Sequence, residues 1–100
     1  MCKIERIKQT GILVITHLFL LTTDEIRLMI FDWILRNIQL ISAIELFQSI
    51  ITDAYSTIKD RFENEITVII NRIIPLLSSD NPDHSIAIIF TLKEISYSPP

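Results

Sequence analysis

Apolar residues recur at steps of three and four along most of this chain, which is the spacing of one face of an α-helix. Before residue 40 the recurring positions are Ile26, Met29, Ile30, Trp33, Ile34 and Ile38. A later segment repeats the pattern at Phe62, Ile66, Ile69, Ile70, Ile73, Leu76 and Leu77. This period predicts an all-α protein.

Start and stop signals divide the periodic segments into about five helices. The predicted helices cover residues 4–21, 22–39, 60–77 and 82–96, and a third helix runs from residue 40 to an end that the sequence leaves open between residues 52 and 57. The segment Thr22–Glu25 predicts a capping box at the start of the second helix, and Asn81 followed by Pro82 predicts the start of the last. Pro75 predicts a kink near the end of the fourth helix. We therefore expect one helical domain over residues 1–96 and a short disordered tail over residues 97–100.

Isoleucine fills 22 of the 100 positions, which by itself favours β-strands. A β-branched side chain loses rotamer freedom against the preceding helical turn. Tertiary burial, however, overrides such weak propensities, so we give the helical period more weight. With 49% apolar residues, a chain of this size can bury the core of one domain. Antiparallel helical hairpins, in a stack or a small bundle, are the expected architecture.

Charge and cysteine content exclude several classes of function. The net charge of −3, with nine basic residues, argues against a surface that neutralises nucleic-acid phosphates. Cys2 is the only cysteine, so the chain has neither an internal disulfide nor a multi-cysteine zinc site. These features fit an intracellular protein, in the cytoplasm or the nucleus.

The apolar run over residues 12–21 is about half as long as the roughly 20 residues that a bilayer-spanning helix needs. Basic residues precede the run, as in a signal peptide, but no small-residue cleavage site follows it. We therefore predict that this run belongs to a buried first helix and does not insert into a membrane.

The titratable residues suggest no catalytic or metal site. His17 lies in an apolar helix without a second histidine one turn away, which favours a buried or edge histidine over a zinc ligand. Capping and helix-dipole effects explain the Asp83–His84 pair as well as Asp24 and Glu25. A single glycine excludes a glycine-rich phosphate loop. We expect no enzymatic activity, cofactor, metal or small-molecule substrate.

Two stretches of the chain repeat the same order of residue types. Residues 20–24 lead into residues 33–38, and residues 76–80 lead into residues 90–95, at spacings of 56 and 57 residues. Such a repeated helix, turn and helix is typical of stacked helical pairs. The segment Ile73–Pro82, followed by an apolar helix, resembles an armadillo or HEAT repeat. The spacing exceeds the usual repeat length of about 40–47 residues, and the customary glycine between repeats is absent.

Trp33 and Asn37 sharpen this resemblance, because they are similar to the tryptophan and asparagine on the concave helix of peptide-binding armadillo repeats. Phe90 and Glu94 stand at the matching positions of the second copy, so the aromatic residue is kept and the asparagine is not. The resemblance implies that Trp33 and Asn37 lie side by side and bind an extended basic peptide. The alternative is that Trp33 belongs to the core and Asn37 is a solvated surface residue.

Taken together, the patterns favour a protein–protein interaction module that presents an apolar helical face or groove to a partner or to itself. An alternative is a membrane-associated regulator that engages lipid, or an amphipathic partner helix, through residues 12–21. Burial of these residues between other helices would remove the main support for lipid insertion. The chain could also be one piece of a larger solenoid.

Overall fold

Five α-helices make up the part of the chain that the structure, a computed structural model, describes: residues 3–78 and 81–97, with no β-strand among them. The helices are α1 (Lys3–Leu21), α2 (Asp24–Arg36), α3 (Ile41–Ile58), α4 (Glu63–Ile73) and α5 (Pro82–Tyr97). A 3-10 helix over Ile74–Ser78 follows α4. The predicted all-α class and the number of helices are confirmed. Every boundary lies within four residues of its predicted place except the end of α3, which the sequence left open between residues 52 and 57 and which lies at Ile58.

Helix α3 is the central element of the fold. Helices α1, α2 and α5 pack against α3, and α4 packs against α2. The buried residues of α3 are Ala43, Ile44, Leu46, Phe47, Ile50, Ile51, Ala54 and Ile58. Because this helix is covered on several sides, the apolar surface that its isoleucines bury outweighs their weak preference for strands.

Four phenylalanine rings join four segments of the chain in the core. The ring centroid of Phe31 on α2 lies 5.3 Å from that of Phe19 on α1 and 6.5 Å from that of Phe47 on α3. Phe62, which directly precedes α4, lies 5.5 Å from Phe31. All four side chains are at most 3% exposed. Phe31 therefore connects α2 to three other segments of the core, beside Ile34, the other buried residue of this helix.

The corner between α1 and α2 is held by one arginine. Arg27 donates from Nε to the carbonyl oxygen of Phe19 at 2.9 Å and from Nη2 to that of Leu20 at 3.1 Å. Its third hydrogen bond runs from Nη1 to a carboxylate oxygen of Asp24, which also accepts from Arg61, both at 3.1 Å. Arg27 thus supplies donors for carbonyl groups that the end of a helix leaves without intrahelical partners.

The predicted capping box at the start of α2 does not form. Thr23 is the N-cap residue and has an extended backbone, but its side chain makes no capping hydrogen bond. The charged contacts of Asp24 and Arg27 fix this corner instead. Sequence spacing could not show this, because Arg27 reaches back over the loop to the preceding helix.

The start of α5 agrees with the prediction. The side-chain oxygen of Asn81 accepts a hydrogen bond from the backbone N–H of Asp83 at 3.0 Å, and Pro82 is the first helical residue. Pro75 lies where α4 gives way to the 3-10 helix, as expected for a residue without a backbone N–H. Helix α5 extends to Tyr97, one residue into the predicted tail, and residues 98–100 lie outside the described residues.

Candidate functional site

One face of α1 is apolar and yet faces solvent. Thr16 and Phe19 point into the core, and Ile12 is half-buried. Large exposed side chains on the opposite side are Ile7 at 64%, Val14 at 60%, Leu18 at 52% and Leu21 at 87%. Our prediction of a buried first helix is therefore wrong for this outer face, because the neighbours of α1, helices α3 and α2, cover only its inner side.

These four exposed residues and Gly11 form a line along α1. Ile7, Gly11, Val14, Leu18 and Leu21 follow one another at steps of four, three, four and three residues, which places them on the same face of the helix. We name these five residues the α1 stripe.

Gly11 is the only glycine of the chain and lies near the middle of the α1 stripe. Its backbone is helical without a positive φ, and a Cβ atom built there would meet nothing within 4 Å. A glycine inside a helix is about 1 kcal/mol less favourable than alanine. Neither backbone geometry nor packing within this domain explains the glycine.

A small apolar cleft adjoins the stripe, between α1, α2 and α3. Its lining residues are Ile15, Ile30, Trp33 and Leu46, and its volume is about 200 Å³. Leu46 is buried and belongs to the core, whereas Ile15 and Trp33 are 38% and 45% exposed. We name this cleft the apolar notch. Met29, one turn before Trp33 on α2, is 66% exposed.

The predicted pair Trp33 and Asn37 lies at the end of α2. Trp33 is half-exposed, so it is not the core residue of the alternative interpretation. Asn37 is the C-cap residue of α2, and its side-chain nitrogen donates to the carbonyl oxygen of Trp33 at 2.8 Å. That hydrogen bond uses a donor that an armadillo-type asparagine would offer to a peptide ligand.

The second predicted pair, Phe90 and Glu94, lies on α5. Phe90 is 47% exposed and Glu94 is partly buried. Neither residue lines the apolar notch that Trp33 lines. Helices α2 and α5 each pack against α3. The apolar notch therefore contains one of the four predicted residues, and the peptide-binding role of all four stays a prediction.

A second cleft, of about 310 Å³, lies between α2 and α4. Its apolar lining is formed by Leu28, Phe31, Leu35, Val68 and Ile69, and its polar lining by Asp32, Asn64 and Glu65. Asp32 already forms an ion pair with Arg36 at 3.0 Å. Of its five apolar residues, only Leu28 at 45% and Val68 at 43% are exposed.

The histidines and Asp24, which the sequence analysis considered as possible site residues, form no catalytic or metal cluster with one another within the described residues. His17 is exposed beside the α1 stripe, whereas Nε2 of the partly buried His84 donates to the carbonyl oxygen of Gln39 at 2.9 Å. Asp24 binds Arg27 and Arg61, as described above. Within residues 3–78 and 81–97, no three histidine, cysteine or acidic side chains converge on a possible metal position. No helix in these two ranges has the length and apolar content needed to cross a bilayer.

Comparisons with known protein families, with characterised proteins and with solved structures find no significant match to this chain. The resemblance to armadillo and HEAT repeats thus stays a prediction from short motifs. The α1 stripe and the apolar notch were not singled out by the sequence analysis, although the steps of four and three residues that define the stripe can be read from the sequence.

Proposed function

We propose that the protein is a non-enzymatic protein–protein interaction module that docks its partner on the α1 stripe and the apolar notch. One observation carries the proposal: the four large side chains of the stripe are all more than half exposed, in a domain that buries a separate core. Contiguous exposed apolar surface of this kind marks interaction sites on soluble domains.

The shape of the surface favours a helical partner. Side chains spaced by three and four residues along one helix match the spacing on a second helix laid beside it. The apolar notch has room for a large apolar side chain, and Trp33 at its wall is a residue type that often dominates binding energy. An extended peptide bound at Trp33, Asn37, Phe90 and Glu94 receives less support, because Asn37 caps its own helix.

A second candidate function is peripheral attachment to a membrane surface. The outward-facing leucines of residues 12–21 favour it, since burial of this segment would have removed its main support. However, His17 is the only titratable residue between Gly11 and Leu21, and the chain is acidic overall. Helices that lie on membranes are typically rich in lysine and arginine on their polar face. The charge pattern therefore favours a protein partner.

Photo-crosslinking from the stripe tests the proposed function. We expect a benzoylphenylalanine placed at Leu18 to form protein adducts in the cells that produce this chain. The same group at Thr57, an exposed residue of α3, should form few. Equal adducts from both positions, or none from Leu18, would contradict the proposal.

Fluorescence of Trp33, the only tryptophan, tests the membrane candidate in the same protein. We expect no blue shift of its emission on mixing with vesicles of phosphatidylcholine and phosphatidylserine. A blue shift together with absent protein adducts would favour membrane attachment instead.

A further inference from the structure

We infer that the partner of the α1 stripe is a second copy of this chain, paired with the first through antiparallel α1 helices. This inference rests on the proposed function and names the partner for the same surface. It is carried by three features of α1: the spacing of the stripe, the glycine within it, and the charges at its two ends.

The spacing of the stripe is that of a helix pair. Steps of four and three residues average 3.5, the period at which two α-helices keep a continuous apolar line in contact. From Ile7 to Leu21 the line is about 21 Å long. An interface of this length is at the small end of specific interfaces, so the dimer should dissociate on dilution.

The charges at the ends of α1 favour the antiparallel direction. Arg6 is exposed near the start of α1, and Glu25 is exposed just past its end, in the first turn of α2. Neither forms an ion pair with another described residue. A parallel pair would bring equal charges together at both ends. An antiparallel pair brings Arg6 towards Glu25 of the second copy.

The antiparallel pair explains why a glycine stands at position 11. When the second copy runs in the opposite direction, its stripe can be aligned with the first in two ways. Each alignment places four stripe residues of one copy opposite four stripe residues of the other. Gly11 lies opposite Val14 of the second copy in one alignment and opposite Leu21 in the other. In both, the missing side chain leaves a hole that a large apolar residue of the second copy fills, as a knob fills a hole between paired helices.

Three variants, compared by sedimentation velocity over a series of concentrations, test the pairing. We expect a reversible dimer for the unmodified chain, and a dissociation constant about tenfold higher or more for Leu18→Gln and for Gly11→Gln. Leu13→Gln is the matched control, because Leu13 is a leucine of the same helix with 61% exposure, outside the stripe. It should leave the dissociation constant within about twofold.

Gly11→Gln also separates loss of pairing from loss of folding. At concentrations where the unmodified chain is monomeric, this variant should unfold at a higher urea concentration, because glutamine favours a helix more than glycine does. A monomeric unmodified chain at every concentration would overturn the inference, as would a dimer that persists in both stripe variants.

Crosslinking determines the direction of the pair. In a Cys2→Ser background, Ile7→Cys places one thiol at one end of the stripe. In either antiparallel alignment the two copies of residue 7 are about 16 Å apart or more along the axis. A bismaleimide shorter than this should therefore link Ile7→Cys to Leu18→Cys in a mixture, but should not link Ile7→Cys to itself. Self-linking at residue 7 would overturn the antiparallel arrangement.

Failure of the pairing differs from failure of the proposed function. If the chain is monomeric but benzoylphenylalanine at Leu18 captures other proteins, the interaction surface stands and the second copy is excluded. If Leu18 captures nothing and the chain is monomeric, both proposals fail.

Discussion

Replacing Phe31 with alanine is expected to lower the free energy of unfolding by about 3–5 kcal/mol. The Phe31 ring is 2% exposed and contacts three other phenylalanine rings. Its removal loses the transfer free energy of a buried ring and leaves a cavity that rings from three other segments cannot close without moving. Only Phe31 and Ile34 of α2 are fully buried, so the variant also removes half of the residues that anchor this helix.

Urea denaturation followed by circular dichroism measures this loss. Domains of this size are typically stable by about 5–15 kcal/mol, so Phe31→Ala will be partly or wholly unfolded if the chain is at the lower end. Phe90→Ala is the matched control, since it removes the same ring from a position that is 47% exposed. We expect it to cost less than about 1 kcal/mol. Equal losses in the two variants would contradict the core described above.

The helical period predicted the class of this fold but only part of the buried side of α2. The recurring positions in this helix included Ile26, Met29 and Trp33, which are 37%, 66% and 45% exposed. Of the two buried residues of α2, Ile34 belonged to that set and Phe31 lay outside it. The reason is compositional: apolar residues occur on several sides of α2, so a period of 3.6 identifies a helix without indicating which side meets the core.

Helix α1 shows the same ambiguity with a functional consequence. Two apolar lines run along it, one through Ile12 and Phe19 and one along the stripe. Each line alone would indicate a buried face, and only the position of α3 decides which of them is covered. The sequence could suggest that the chain carries excess apolar surface, but the place of that surface depends on contacts between distant segments.

Short motifs predicted local features better than they predicted a binding site. Asn81 and Pro82 begin α5 as expected, because a cap depends on neighbouring backbone atoms alone. Whether Trp33 and Asn37 are both available to a ligand depends on where α2 ends. Since Asn37 caps that end, one N–H of its amide donates to the backbone of its own helix. A pattern of two residues does not contain this information.

Arg27→Ala is expected to lower the free energy of unfolding by about 2–3 kcal/mol, more than any other single charge removal at the corner between α1 and α2. The Arg27 side chain is 13% exposed and donates to two carbonyl oxygens of α1 as well as to Asp24. Its guanidinium carbon also lies 5.5 Å from the centroid of the Phe19 ring. Truncation leaves these oxygens without that donor in a partly buried corner, and the Phe19 ring loses the guanidinium that covers it.

Two further variants show whether geometry or charge is responsible for this loss, again by urea denaturation. Arg27→Lys keeps the charge but lacks the planar fork that reaches two carbonyl groups at once, so it should recover less than half of the loss. Arg36→Ala removes an arginine whose ion pair with Asp32 is largely exposed, at 77% and 55%, and should cost less than about 1 kcal/mol.

High salt should shrink the Arg36 effect and leave most of the Arg27 effect, because hydrogen bonds to backbone carbonyls in a partly buried corner are poorly screened. Full recovery of stability by Arg27→Lys would mean that charge alone holds α1 and α2 together. A loss for Arg27→Ala no larger than that for Arg36→Ala would mean that packing around Phe19 holds the corner without the arginine.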